Sequence, residues 1–378
     1  MTRRGANEGS IYQRKSDGKW VGVLHIGYDV DGKRRRRVFY GERRPDVSSQ
    51  LTAAQRKVDE GLPLPSERLT VAAFLVRWLA TIKPALRPNT YRRYEQFVRM
   101  HISPALGRIT LTKLTPDQLQ ELYAAKLEAG LSPTTVRHLH AAAHKALKQA
   151  TRWGLVARNV ATVVEVPRMV RHEMATLTPE EAQRVIEAAR GERLGAVYTL
   201  ALTTGMRRGE LLGLRWRDVD LERGAVQVRA SLQWTKEGPA FAEPKTERSR
   251  RQITLAKIAI DTLRAHRLAQ AEERLRRGPA WEDNDLVFAN EVGRPVYPNN
   301  MVRRSFEPLL KRAGVRRVRF HDLRHSAATL LLAEGVHPKI VSEMLGHSQI
   351  AMTLDLYSHV TPTMQRQAAD AMDVVLGR

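Results

Sequence analysis

The chain has 378 residues, 42% hydrophobic and 27% charged, which is apolar material for two or three cores and excludes wholesale disorder. Its 63 Lys and Arg against 40 Asp and Glu leave a formal net charge of +23, so a polyanion, nucleic acid first, is the expected partner. There is no cysteine, which excludes disulfides, thiolate metal sites and thiol nucleophiles.

The amino terminus, Met1 to Glu8, has no apolar stretch behind its charges, so no signal peptide is read there. The longest mostly apolar stretch, Leu194 to Met206, is shorter than the roughly 20 residues that span a bilayer. A cytoplasmic, bacterial, nucleoid-associated protein with no membrane partner is the expectation. The excess charge is spread along the chain: net +5 over residues 1–67, +11 over 68–168 and +7 over 169–378. A single basic tail would look different, and the spread implies that all three segments touch the polyanion.

Residues 1–60 read as a small β domain. Ser10–Gln13, Trp20–Tyr28 and Lys33–Tyr40 are strand candidates, separated by the turn pairs Asp17-Gly18 and Asp31-Gly32. A helix follows from about Pro45 to Val58, and residues 61–68 form a linker. Residues 69–166 read as all-helical, with four short helices. Val71, Phe74, Leu75, Trp78, Leu79 and Ile82 repeat at the spacing of one buried helix face. Thr115-Pro116-Asp117-Gln118 is a capping box. A last helix turns Val136, Leu139, Ala143, Leu147 and Ala150 inward and Arg137, Lys145, Lys148 and Arg152 outward. Residues 167–176 lack periodicity and read as a second linker. A second capping box, Thr178-Pro179-Glu180-Glu181, opens a mixed, mainly α domain over 177–378, with β structure expected around Ala225–Leu232 and Arg250–Leu255.

That last domain carries an ordered set of polar motifs. They are Thr204-Gly205-Met206-Arg207-Arg208-Gly209-Glu210, Pro244-Lys245-Thr246, His321-Asp322-Leu323-Arg324-His325, Leu345-Gly346-His347 and Leu356-Tyr357-Ser358-His359. The set resembles the catalytic domain of the tyrosine recombinases, the phage integrase family, whose Arg, Lys, His-x-x-Arg, His and Tyr occur here in the same order. The resemblance implies that the catalytic residues are Arg207, Lys245, His321, Arg324, His347 and Tyr357. The chemistry is coherent. Two planar guanidiniums hold the nonbridging oxygens of a phosphodiester as phosphorus becomes five-coordinate. A phenol is protonated at neutral pH, so Tyr357 as nucleophile needs a base, and His321 fits. Lys245 matches the family's general acid, with Lys236 close by in sequence. His347 is expected to bond the phosphate. Glu210 is expected to orient His321 or Arg207, the bland alternative being a helical ion pair. Arg208 reads as a solvated or DNA-backbone contact, and His325 and His359 as packing or capping residues.

His321 and His325 have the spacing of a zinc pair, but no third ligand or His-Glu-x-x-His motif accompanies them, and no Walker-type loop occurs. Neither metal nor cofactor is expected. By resemblance, residues 69–166 are the core-binding DNA domain, with Arg87, Arg92, Arg93, Arg137, Lys145 and Lys148 as backbone contacts. Residues 1–60 resemble an arm-binding DNA domain, with Lys33, Arg34, Arg35 and Arg36 reaching into a groove or forming a solvated strand tip. The implied function is site-specific integration or excision of a phage or mobile element through a 3′-phosphotyrosine intermediate. The implied partners are double-stranded attachment sites, a homotetramer on paired sites, and accessory DNA-bending or directionality proteins. A tail bearing Met364, Ala368, Ala371, Met372, Val375 and Leu376 has a neighbouring subunit or its own domain as its docking surface. A type IB topoisomerase and a non-catalytic DNA-binding protein on the same fold are the alternatives.

Overall fold

A computed structural model describes residues 9–28, 31–60, 69–169, 175–235, 237–242, 250–347, 350, 353–354, 370, 372–373 and 376–377. The chain divides into two compact units, Met1–Arg171 and His172–Arg378.

The first unit begins with an antiparallel meander of β1 (Ser10–Gln13), β2 (Trp20–Tyr28) and β3 (Arg34–Gly41), in the order β1-β2-β3. Helix α1 (Arg44–Asp59) covers one face. It comes so close that a Cβ on Gly22 would lie 2.7 Å from Val47 Cγ1 and 3.0 Å from Leu51 Cδ1, so the strand needs glycine there. Ile11, Gly22 and Phe39 are cross-strand partners on this face. The alternate row is Tyr12, Val21 and Tyr40, in which both tyrosines are exposed and Val21 between them is buried.

Helix α2 (Val71–Ile82) starts where Thr70 Oγ1 accepts from Ala73 N, and it buries Phe74, Leu75, Trp78 and Leu79. Side chains of this size stabilise by about 1.5–3 kcal/mol each when fully buried. Helix α3 (Pro88–Phe97) runs through a π-helical stretch, Val98–Ile102, into α4 (Ser103–Leu106). Helix α5 (Pro116–Glu128) has the capping box at Thr115 and Gln118, and α6 (Pro133–Arg152) is capped by Ser132. The expectation of four short helices needs correcting. Helix α6 has 20 residues, about 30 Å, so it is not short, and a wide helical turn at Val98–Ile102 separates α3 from α4. Val136, Leu139, Ala143, Leu147 and Ala150 of α6 enter a core shared with α2 and α5.

The second unit opens with α7 (Pro179–Ala188), which has the capping box at Thr178 and Glu181, and the almost wholly buried α8 (Gly195–Thr204). The five-residue α9 (Arg208–Leu212) follows. Strands β4 (Val219–Asp220), β5 (Ala225–Val228) and β8 (Arg251–Thr254) make one antiparallel sheet. Strands β6 (Ser231–Thr235) and β7 (Gly238–Ala242) pair separately. The single stretch expected over Ala225–Leu232 is therefore two strands in two sheets. The alternation of apolar and polar residues runs unbroken from Val226 to Leu232 and carries no mark of where one sheet stops and the next begins. The remaining helices are α10 (Lys257–Arg277), α11 (Pro298–Met301), α12 (Glu307–Arg312), α13 (Asp322–Ala333) and α14 (Pro338–Leu345). Val197, Leu200, Leu211, Val226, Phe288, Phe306 and Leu323 belong to one core, and Val341 and Leu345 of α14 pack with Ala328 and Leu332 of α13 in a second, smaller one. No described helix is long and apolar enough to cross a membrane.

Candidate active site

Two helix ends build the site. Gly205 closes α8 and Gly346 closes α14, each in the left-handed conformation, at φ 61° and 67°. At Gly205 the cap is a single bond, Gly205 N donating to Ala201 O at 3.0 Å. At Gly346 it is a paired one, Gly346 N to Glu343 O and His347 N to Ser342 O, both 3.0 Å. A side chain is excluded at both positions by backbone strain and by contact. A Cβ on Gly205 would lie 2.3 Å from Leu345 Cδ2, and one on Gly346 would lie 2.9 Å from Arg251 Nη1. The carbonyls at these helix ends are the electronegative ends of the helices, and each holds an arginine. Arg324 Nη1 donates to Gly205 O at 2.7 Å, and Arg207 Nη2 donates to Gly346 O at 3.0 Å.

Glu210, which is 4% exposed, ties the arginines together. Its Oε1 accepts from Arg207 Nη1 at 2.8 Å, and its Oε2 accepts from Arg207 N at 2.9 Å and Arg251 Nη2 at 2.9 Å. Burial works to raise its pKa, but Arg251 and Arg207 outweigh this and hold it below the ordinary carboxylate value. Of the two partners expected for Glu210, it contacts Arg207, and its hydrogen bonds run to Arg207 and Arg251. The second arginine on this carboxylate, Arg251, escaped the sequence reading. Its side chain is only 7% exposed, and its Nε also donates to Met344 O. A signal was present: in a strand, Arg251 shares a face with Ile253 and Leu255, both buried, so a charge in that row requires a buried partner.

Arg324 is 4% exposed, and its Nη2 is buried without a hydrogen-bond partner among the described residues. Burial, then the charge of Arg207, lowers its pKa to about 9, so it is still a cation at neutral pH. His321 sits at the amino-terminal cap of α13, just outside the helix, and is exposed to solvent. Partial burial, then His325 and Arg324, lower its pKa to about 4, leaving a neutral imidazole at pH 7. His325 stands edge-on to it, with ring centroids 4.9 Å apart. His347 is also lowered to about 4, by burial and then by Arg324 and Arg207, and its Nδ1 lies 2.8 Å from Thr353 Oγ1. Arg207 and His321 line an open cleft of about 860 Å³ together with Arg208, Arg317, Arg319 and Phe320.

The structure thus brings Arg207, Glu210, His321, Arg324 and His347 into one neighbourhood. Lys245, Lys236, Tyr357 and His359 lie outside the described residues, as does most of the segment from Met364 to Leu376. Among the described residues, no group of three His, Asp or Glu is placed to hold a metal.

Residues 175–364 match the phage integrase family, and residues 70–127 match the phage integrase N-terminal SAM-like domain. The chain belongs to the phage integrase family, the tyrosine-type site-specific DNA recombinases. A tyrosine recombinase XerC-like protein of Caldanaerobacter subterraneus subsp. tengcongensis is 30% identical over 371 residues, covering 93% of this chain and 95% of its own. An integrase of Streptomyces ambofaciens is 30% identical over 388 residues, covering 100% and 98%. Among solved structures, the Tn1549 transposon integrase bound to transposon right end DNA superposes with a TM-score of 0.68 at 22% identity, over 82% of this chain and 100% of that one. A lambda integrase tetramer bound to a Holliday junction gives 0.57 at 18% identity, over 94% and 96%. These likenesses establish the tyrosine recombinase fold of this family member.

The basic residues expected to reach a groove from residues 1–60, or the DNA backbone from residues 69–166, belong to the other unit. Arg34, Arg35 and Arg36 are exposed on β3, and Lys33 is exposed just before it. Arg87, Arg92, Arg93, Arg137, Lys145 and Lys148 are exposed on or beside α3 and α6. Arg137 Nη1 donates to Pro167 O at 3.2 Å, and Lys145 Nζ lies 5.2 Å from the Tyr94 ring centroid.

Proposed function

We propose that this recombinase integrates or excises a phage or mobile element at double-stranded attachment sites by way of a 3′-phosphotyrosine intermediate. Arg207 and Arg324 hold the nonbridging oxygens of the scissile phosphate, and His347 donates to it. Tyr357 attacks phosphorus through its phenolic oxygen, and its proton passes to the neutral His321. The bond to the 5′ oxygen breaks, and Lys245 protonates that oxygen as it leaves. Attack by a 5′ hydroxyl of the partner strand then reverses each transfer and releases the tyrosine. Glu210 and Arg251 keep Arg207 in place. Residues 69–166 bind the core of the site and residues 1–60 bind arm sequences. Four copies act on two paired sites, because four strands must be exchanged, and accessory DNA-bending or directionality proteins set the direction.

The observation that carries this reading is Arg324: a buried guanidinium with one arm anchored on Gly205 O and the other without a partner. A buried donor left unpaired is costly, and a phosphate oxygen satisfies it. The test is covalent trapping on duplex taken from the DNA flanking the reading frame. Wild-type protein is expected to form a protein–DNA adduct and Tyr357→Phe none, with DNA affinity nearly unchanged. Lys245→Ala is expected to cleave slowly on normal DNA and at near wild-type rate when the leaving group is a 5′ thiol, which needs little protonation. An adduct with Tyr357→Phe removes Tyr357 as nucleophile. Relaxation of any supercoiled plasmid without a defined site favours a topoisomerase.

A further inference from the structure

Strand cleavage as described leaves Arg208, Arg317 and Arg319 of the cleft unused, and Arg208 stands apart from the other two. Arg208 lines the cleft beside Arg207, is half-buried, and has its pKa lowered by that burial. It makes no hydrogen bond or ion pair with any other described residue. The other cations of the cleft are committed. Arg317 Nη2 lies 2.8 Å from Glu307 Oε1, Arg319 Nη2 lies 2.8 Å from Asp322 Oδ1, and Arg207 is held by Glu210. The two carboxylates that line the cleft, Glu307 and Asp322, are therefore neutralised in place. Among the described arginines that line the cleft, Arg208 is the one without a carboxylate partner. Its surroundings include the apolar Val302, Val318 and Phe320, which solvate a cation poorly.

Arg207 is the extended residue that caps α9 and Arg208 is the first residue of the helix, so the two side chains leave the backbone from different conformations. Arg207 is turned to Glu210 and the Gly346 carbonyl. A ligand of Arg208 is accordingly a different anionic group, close to the one held by Arg207. A DNA strand supplies such a pair, since its phosphates recur at every nucleotide, about 3.4 Å of rise apart along the strand. A cleft of about 860 Å³ has room for more than one phosphate group.

We propose that Arg208 binds a second phosphate of the cleaved strand, flanking the one held by Arg207 and Arg324, so that the strand is gripped on both sides of Arg207's anchor point. This rests on the reading of the cleft as the strand-cleavage site and adds a subsite to it. A single arginine at the reacting phosphate leaves the strand free to pivot, whereas a second grip fixes the line of attack.

The experiment uses the full-length protein and attachment-site duplex from the flanking DNA, with a neutral methylphosphonate placed at one phosphate at a time. Wild type is expected to lose about ten-fold or more in adduct formation at one flanking position. Arg208→Ala is expected to show that loss already on unmodified DNA and no further loss when that same position is neutralised. Arg208→Lys is expected to restore part of the rate and to confirm that the variant cleft is folded. The slope of log affinity against log salt should fall by about 1 in Arg208→Ala. The proposal is overturned if the losses multiply at every flanking position, or if the position masked by Arg208→Ala is the scissile phosphate itself. It is also overturned if Arg208→Ala cleaves a single site normally and fails only when copies must assemble, since that assigns Arg208 to a protein contact. Failure of wild type to form any adduct on unmodified duplex would instead bring down the underlying reading of the cleft.

Discussion

The arginines of β3 and those around Glu210 show how one residue type serves two ends. In β3, Arg34, Arg35 and Arg36 stand exposed along a strand covered on only one face, and water screens each of them. Around Glu210, Arg207, Arg251 and Arg324 are fixed by a carboxylate and three backbone carbonyls, and two of the three side chains are almost wholly buried. The first arrangement gives charge without direction, suited to holding any backbone. The second gives direction, because each guanidinium has lost its freedom before a ligand arrives. Desolvation separates the two: it leaves the strand arginines untouched and makes an unpaired arm of Arg324 costly.

Four substitutions or conditions break or sharpen that contrast. The largest effect is expected from Glu210→Ala, which strands a buried Arg251 and frees Arg207. The loss should be about 3–5 kcal/mol of unfolding free energy, read as a lower urea midpoint, whereas Arg35→Ala should stay within about 0.5 kcal/mol. Equal shifts in the two variants would dissolve the contrast. Next comes Arg324→Lys, which keeps the charge and loses the planar fork. Single-turnover adduct formation should fall about 10²- to 10³-fold, with DNA affinity changed far less. An equal drop in affinity would mean that Arg324 binds DNA without favouring the transition state.

A gentler effect is expected from pH. His321 and His347 are held near 4 in the folded protein, below their ordinary 6.5. As pH falls from about 6.5 to 4, the unfolded chain binds protons that the folded one refuses, so stability is full above this window and declines through it. Urea midpoints at pH 7.5, 6 and 5 should fall in that order, and less steeply in His347→Gln. A midpoint that rises on acidification would contradict neutral imidazoles in the fold. The smallest effect is expected in β3, where each of Arg34→Ala, Arg35→Ala and Arg36→Ala should lower the salt slope of DNA binding by about 1 or less. Their cleavage rates at saturating DNA should match wild type, and a slowed chemical step would show that the sheet does more than hold.

Much of this was legible along the chain. The three strands of the first sheet were readable to within a residue from Asp17-Gly18 and Asp31-Gly32, because such pairs favour the backbone of a tight turn. The capping boxes at Thr115 and Thr178 marked helix starts for an equally local reason. Other features resisted. The break between β5 and β6 leaves no local mark, whereas the wide helical turn at Val98–Ile102 comes just before Pro104, which has no N–H to donate to Met100 O. Arg251 read as one more basic residue after Lys245, though its place in the row of Ile253 and Leu255 was an unread clue.

The linear order of residues determined the family, the chemical types at the site and the expected polyanion, because turn glycines, helix caps and reactive groups act through their own covalent structure and near neighbours. Only the tertiary structure decided that two glycine-ended helices anchor two arginines, that one carboxylate serves Arg207 and Arg251, and that Arg324 keeps an arm unpaired. Those facts depend on which surfaces lose water together, and desolvation is a property of the packed chain.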